Sequence, residues 1–121
     1  TSIQIHRRLG PGLLESVYAV ILAHELRKKG LHVEREVPIP VQWDNIEMEV
    51  GFRADLIVEG LVLVELKSVE AISKAFKKVV LTYIRLADKK LGLILNFGEE
   101  LLKDGISRIV NGLPDEQPAL P

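Results

Sequence analysis

The sequence predicts an α/β fold with the element order αβββαβ, a mixed central sheet flanked by helices. Three observations carry this. Apolar residues recur at spacings of three and four in two windows, residues 14–26 and 72–86, as the buried faces of helices do. Between them lie extended stretches punctuated by Asp44-Asn45 and Glu59-Gly60, both turn signals. After the second helical window comes a continuous apolar run, Leu91 to Phe97, of the kind that makes a buried strand.

Taken in order, residues 2–6 already look structured, as though the chain began partway into a first helix. Gly10-Pro11-Gly12 is the first break. The stripe Leu14, Val17, Tyr18, Ile21, Leu22 and Leu26 then predicts a helix that stops at Gly30, after the basic Arg27-Lys28-Lys29. Residues 32–42 read as a strand, and Pro38 and Pro40 mark it as an edge strand or an irregular one. A second strand covers 47–58, with Phe52, Ala54, Leu56 and Val58 expected on one side, and a third covers Leu61 to Lys67. A helix over 71–87 crosses to the strand at 91–97, which can lie parallel to the third. A short helix or loop near 99–103 and a strand near 105–110 follow. One domain over residues 1–113 and a Pro-rich flexible tail over 114–121 are expected.

Composition narrows the function classes. The net charge is -1 and the pI about 6.3, so nucleic-acid binding would have to come from local basic patches. The absence of cysteine excludes disulfides, thiolate metal sites and a Cys nucleophile, and fits a cytoplasmic location. No apolar run approaches the roughly 20 residues of a membrane span, and no signal peptide is visible. There is no phosphate-binding Gly loop, hence no expected nucleotide cofactor, no His-rich metal motif and no Ser-His-Asp arrangement.

The residues that suggest chemistry are Asp55, Glu65 and Lys67. Glu65 and Lys67 are two apart on a strand and share a face. They end an otherwise apolar run, where charges are costly unless paired or bound. Whether Asp55 joins them depends on register. A two-residue turn at Glu59-Gly60 pairs Val58 with Leu61 and turns Asp55 to the opposite face. A three-residue loop pairs Val58 with Val62 and sets Asp55 opposite Glu65. The chemistry requires the second register or an equivalent bulge. Two carboxylates brought together call for a cation, and hard oxygen ligands suit Mg²⁺ or Mn²⁺, with the Leu66 carbonyl as a further ligand. The lysine would orient water or offset charge on a phosphoryl group. Against this stands the commoner meaning of Glu-x-Lys, a surface salt bridge.

Gly12-Leu13-Leu14-Glu15-Ser16-Val17-Tyr18 resembles the motif that names the GxxExxY protein family. The flanking His6-Arg7-Arg8-Leu9-Gly10-Pro11, the central Gly51-Phe52-Arg53-Ala54-Asp55-Leu56 and Val64-Glu65-Leu66-Lys67, and the later Leu91-Gly92-Leu93-Ile94-Leu95-Asn96-Phe97-Gly98 resemble it too, out to about Asn111. That family is grouped with the PD-(D/E)XK nuclease-like superfamily. The resemblance implies a restriction-endonuclease-like αβββαβ core, Asp55 and Glu65 as metal ligands, Lys67 as the catalytic lysine, and Glu15 reaching the same site. Ala54 stands where the superfamily has proline. Val79 and Phe76 stand where relatives usually have Gln and His, before the retained Tyr83, which puts efficient turnover in question.

Other residues are weighed more plainly. Glu15 also fits a favourable interaction with its helix N-terminus. Tyr18 and Tyr83 read as core residues whose hydroxyls find partners; His6, beside Arg7-Arg8, reads as ambiguous, exposed in the commoner case and a ligand in the rarer one. Lys74, Lys77 and Lys78 share one helical face, ordinarily a solvated one, which beside a metal site would steer a phosphate backbone. The expected partner is DNA, bound weakly to moderately. A homodimer and a nuclease-fold module without turnover both stay open.

Overall fold

In the computed structural model the described residues are 1–112, the side chains of 49–51 excepted. The expected tail at 114–121 lies outside them. The elements are α1 (Ser2–Leu9), α2 (Glu15–Lys28), β1 (Val33–Trp43), β2 (Ile46–Val58), β3 (Val62–Lys67), α3 (Lys74–Leu86), β4 (Leu91–Asn96), a 3-10 turn (Leu102–Gly105) and β5 (Ile106–Val110). The five strands form one sheet in sequence order. β2 runs antiparallel to both its neighbours, β1 and β3; β3 and β4 are parallel through the α3 crossover, and β5 returns antiparallel. This is the predicted mixed sheet.

Each face of the sheet is closed by helix. Tyr18, Ala19, Leu22 and Ala23 of α2 pack with Ile5 of α1 on Leu56, Val64, Leu66, Leu95 and Phe97. On the other face Val80 and Ile84 of α3 pack on Ile57, Leu63 and Ile94. β3 alternates between these two cores, so every one of its central side chains is buried, which accounts for its unbroken apolar run. Among the described residues no helix is long and apolar enough to cross a membrane.

β1 is an edge strand, as its prolines predict, and its register slips between Ile39 and Val41, at Pro40. Two expectations change. The side chains of β2 do not keep one side: Leu56 and Val58 pack towards α2, whereas Phe52 and Ala54 pack towards α3. The change falls at Asp55, opposite Glu36, whose φ of 53° breaks the extended geometry of β1. Leu61 belongs to the turn rather than to β3 and is exposed.

Candidate active site

The loop between β2 and β3 decides the site. Glu59 and Gly60 both take positive φ, 56° and 64°, and the Leu61 N–H donates to the Val58 carbonyl at 3.0 Å. These are the dihedral signs of a type I′ turn, which suits the twist of a hairpin. Val58 nonetheless pairs with Val62, leaving Leu61 as an extra residue. Of the two registers open to the sequence, this is the three-residue one.

Counting back along that register sets Asp55 opposite Glu65, but the β2–β3 ladder has already ended at Leu56 and Val64. β3 continues, paired to β4, as far as Lys67 and Asn96. The two strands therefore part as a fork, and the Asp55 carboxylate fills it. Its Oδ2 accepts a hydrogen bond from the Leu66 N–H at 2.8 Å, where a β2 carbonyl would otherwise serve.

Glu65 lies beside it, only 7% exposed, and its Oε1 has no hydrogen-bond partner. Burial pushes the Glu65 carboxyl up to about 9, and the Asp55 charge adds to the shift; Lys67 opposes it. Burial raises Asp55 as well, against the Leu66 N–H, with further repulsion from Glu36 and Glu15. Two carboxyls in this setting do not both ionise at neutral pH unless a cation joins them. Without one, the two carboxyls are close enough to share a proton; a cation would fit between them, with Oε1 as the oxygen that no other group among the described residues reaches. Among the described residues no group of three or more His, Cys, Asp or Glu is gathered closely enough to hold a metal by side chains alone. Any remaining ligands would be backbone oxygens, water or substrate.

Lys67 is half-buried, with its Nζ 4.5 Å from the centre of the Phe76 ring. Neither it nor Glu65 forms a salt bridge; the ion pairs among the described residues are Lys28–Glu25 and His32–Glu34. The surface salt-bridge reading of Glu-x-Lys therefore does not apply.

Glu15 is the first residue of α2 and is exposed, close enough to add repulsion at Asp55 without a direct bond to it. Tyr18 sets where that helix starts. Its hydroxyl donates to the Gly10 carbonyl and accepts from the Leu13 N–H at 3.1 Å, and its ring stacks on Phe97 with centroids 4.1 Å apart. It is a core residue with a partnered hydroxyl. Tyr83 is half-buried and stacks on Phe52 at 3.6 Å. His6, read as exposed in the commoner case, is buried instead. Its Nε2 lies 3.1 Å from the Phe97 carbonyl, which can only accept, so Nε2 carries the proton and is not available to a metal. The apolar face of α1, whose Ile5 is also buried, carries it inward. Lys74, Lys77 and Lys78 are all exposed on α3. Val79 is 39% exposed, while Phe76 turns inward under Lys67.

Two residues near the site were not singled out from the sequence. Glu36 lies across from Asp55, between the pairs Arg35–Leu56 and Val37–Ala54. A count from the Asp44-Asn45 turn sets it opposite Arg53 instead; the shift at Pro40 brings it to Asp55. Asn96, fully buried, pairs with Lys67 across the parallel ladder. Its Oδ1 accepts from the Val69 and Gly98 N–H groups, each at 3.0 Å, and so fixes the chain just beyond Lys67. Gly98 passes so close to Val69 that a Cβ there would lie 2.2 Å from the Val69 carbonyl oxygen.

No curated protein and no solved structure matches the chain. A family model described as the PD-(D/E)XK nuclease superfamily matches residues 1–109. The match runs from α1 to Ile109 in β5 and includes every element that frames the Asp55–Glu65 pair; the chain belongs to the PD-(D/E)XK nuclease superfamily.

Proposed function

We propose that this protein is a Mg²⁺- or Mn²⁺-dependent phosphodiesterase that cleaves DNA. The observation that carries the reading is the Glu65 carboxylate, buried against Asp55 with Oε1 unpartnered. A divalent cation bound there would supply Lewis-acid polarisation of a phosphoryl oxygen and a more acidic attacking water. Asp55 and Glu65 would hold it by their carboxylates. Support for the Leu66 carbonyl as a third ligand comes from strand geometry. The Lys67 carbonyl is taken by the Phe97 N–H on the β4 side at 2.7 Å, so the alternating Leu66 carbonyl points, like its own N–H, towards Asp55. Lys67 would donate a hydrogen bond to the attacking water and offset charge on the phosphoryl group. Glu15 would orient a water at the outer edge. Lys74, Lys77 and Lys78, exposed on the helix whose first turn meets Lys67, would steer the phosphate backbone.

The test is cleavage of single- and double-stranded DNA with and without Mn²⁺, by the wild type, Glu65→Ala and Lys67→Ala. Mn²⁺-dependent cleavage is expected in the wild type, with losses of about 100-fold or more in both variants, as for a lost acid–base or charge-stabilising group. Equal cleavage by all three proteins would refute the reading. A second reading, a nuclease-fold module that binds nucleic acid or a protein without turnover, is favoured by the apolar Val79 and Phe76. Calorimetry separates the two: DNA binding without Mg²⁺ or Mn²⁺ binding supports the module.

A further inference from the structure

We infer that Phe76 is a positioning residue for Lys67: its ring holds the lysine ammonium beside Glu65 without letting it close on the carboxylate. The inference rests on the reading of Lys67 as a functional group, and it adds a role for the apolar residue that stands at position 76.

Both ends of the contact are anchored. Lys67 is held by the parallel ladder to β4, where its register partner is Asn96 and its carbonyl accepts from the Phe97 N–H. Asn96 then fixes the next stretch through Val69. Phe76 lies in the first turn of α3. The Ser73 Oγ caps that helix by accepting the Phe76 N–H at 3.0 Å, and the ring packs with the core on the α3 side of the sheet. A six-residue connection, 68–73, separates the two anchors. The ammonium meets the ring face at 4.5 Å, within cation–π range.

The chemistry of that contact matters. A ring face attracts a cation but takes no proton from it and accepts no conventional hydrogen bond. The three N–H donors of Lys67 therefore stay available for water or a phosphoryl oxygen. Without the ring, a half-buried ammonium would be free to turn towards Glu65, whose ionised form it already favours. Closure onto Glu65 would occupy the orphaned Oε1 and compete with a cation for it. A polar residue at position 76 would hold the lysine through one of its donors; phenylalanine holds it through none.

The test uses the whole chain and Phe76→Leu, Phe76→Tyr and Phe76→Trp. Leucine keeps an apolar side chain and removes the π face; tyrosine and tryptophan keep the face. NMR reads the Lys67 Hε resonances directly. They should be shifted upfield by the ring in the wild type, return to ordinary lysine values in Phe76→Leu, and stay shifted in the other two. In parallel, Mn²⁺ affinity should fall about 2- to 5-fold in Phe76→Leu and recover in Phe76→Tyr. Identical Lys67 shifts in the wild type and in a folded Phe76→Leu would overturn the inference, as would equal loss of Mn²⁺ affinity in all three variants. If the Lys67 shifts behave as expected but Lys67→Ala cleaves DNA like the wild type, the nuclease reading fails and the positioning by Phe76 stands.

Discussion

A carboxyl that folds into a setting with a pKa near 9 makes stability depend on pH in a definite direction. Between its ordinary value of 4.5 and about 9, Glu65 holds a proton in the folded protein that it has released in the unfolded chain. The folded state is therefore favoured below pH 4.5 and loses that advantage as pH rises towards 9. We predict that the metal-free wild type melts at progressively lower temperature from pH 5 to pH 9, and that Glu65→Gln, which cannot ionise, flattens the trend and is the more stable protein at pH 8. Adding Mn²⁺ should reverse the slope in the wild type alone, because cation binding releases the proton. A parallel pH profile for the two proteins, read by thermal melting, would contradict this. At this scale the sequence was informative where a charge interrupted an apolar strand: Asp55, Glu65 and Lys67 stand out against Leu56, Val64 and Leu66. It was silent on Glu36, an ordinary strand-edge glutamate until the register sets it across from Asp55. It placed Phe76 on the buried stripe, where the residue packs, but not beside Lys67, a contact made only by tertiary packing.

Among the elements, the β2–β3 turn has the most influence on the site. Composition offered Glu59-Gly60 as a turn and left two registers open. What separated them was the extra residue, Leu61, which joins neither strand. Glu59 occupies the left-handed region without the freedom of glycine, at a cost of roughly 1–2 kcal/mol. Glu59→Asn should therefore stabilise the protein by about 0.5–1 kcal/mol, and Gly60→Ala, at a φ of 64°, should destabilise it by about 1 kcal/mol. Urea denaturation checks both, and a neutral Gly60→Ala would show that the turn tolerates another geometry. The helices were legible by their stripes. The start of α3 was read three residues early because Ser73, which caps it, was not weighed as an N-cap. The two-faced packing of β2 was not legible, because strict alternation assumes a continuous strand geometry and Glu36 interrupts it.

Across the whole molecule, the αβββαβ order could be read from two apolar stripes and a crossover with few alternatives, although Leu14, Val17, Val79 and Leu86 of those stripes are exposed and a separate α1 precedes α2. The site could not be assembled at that scale from pattern alone; it depends on where one ladder stops. Past the fork at Leu56 and Val64, β2 has β1 as its strand neighbour and no longer pairs with β3. The base of this ribbon is pinned by Phe52 on Tyr83, while its end carries the exposed Trp43, Ile46 and Met48. A two-stranded ribbon is marginal without further support, so its tip should open far more readily than the five-stranded centre. Native-state hydrogen exchange should show amides at Val41–Trp43 and Ile46–Met48 exchanging through local opening, and those of Leu63 to Glu65 and Ile94 only when the whole domain unfolds. Uniform protection across the sheet would argue against it. The boundary between the two classes should fall beyond Phe52, which is pinned on Tyr83, so that Asp55 and Glu65 both keep their places while the tip of the ribbon opens.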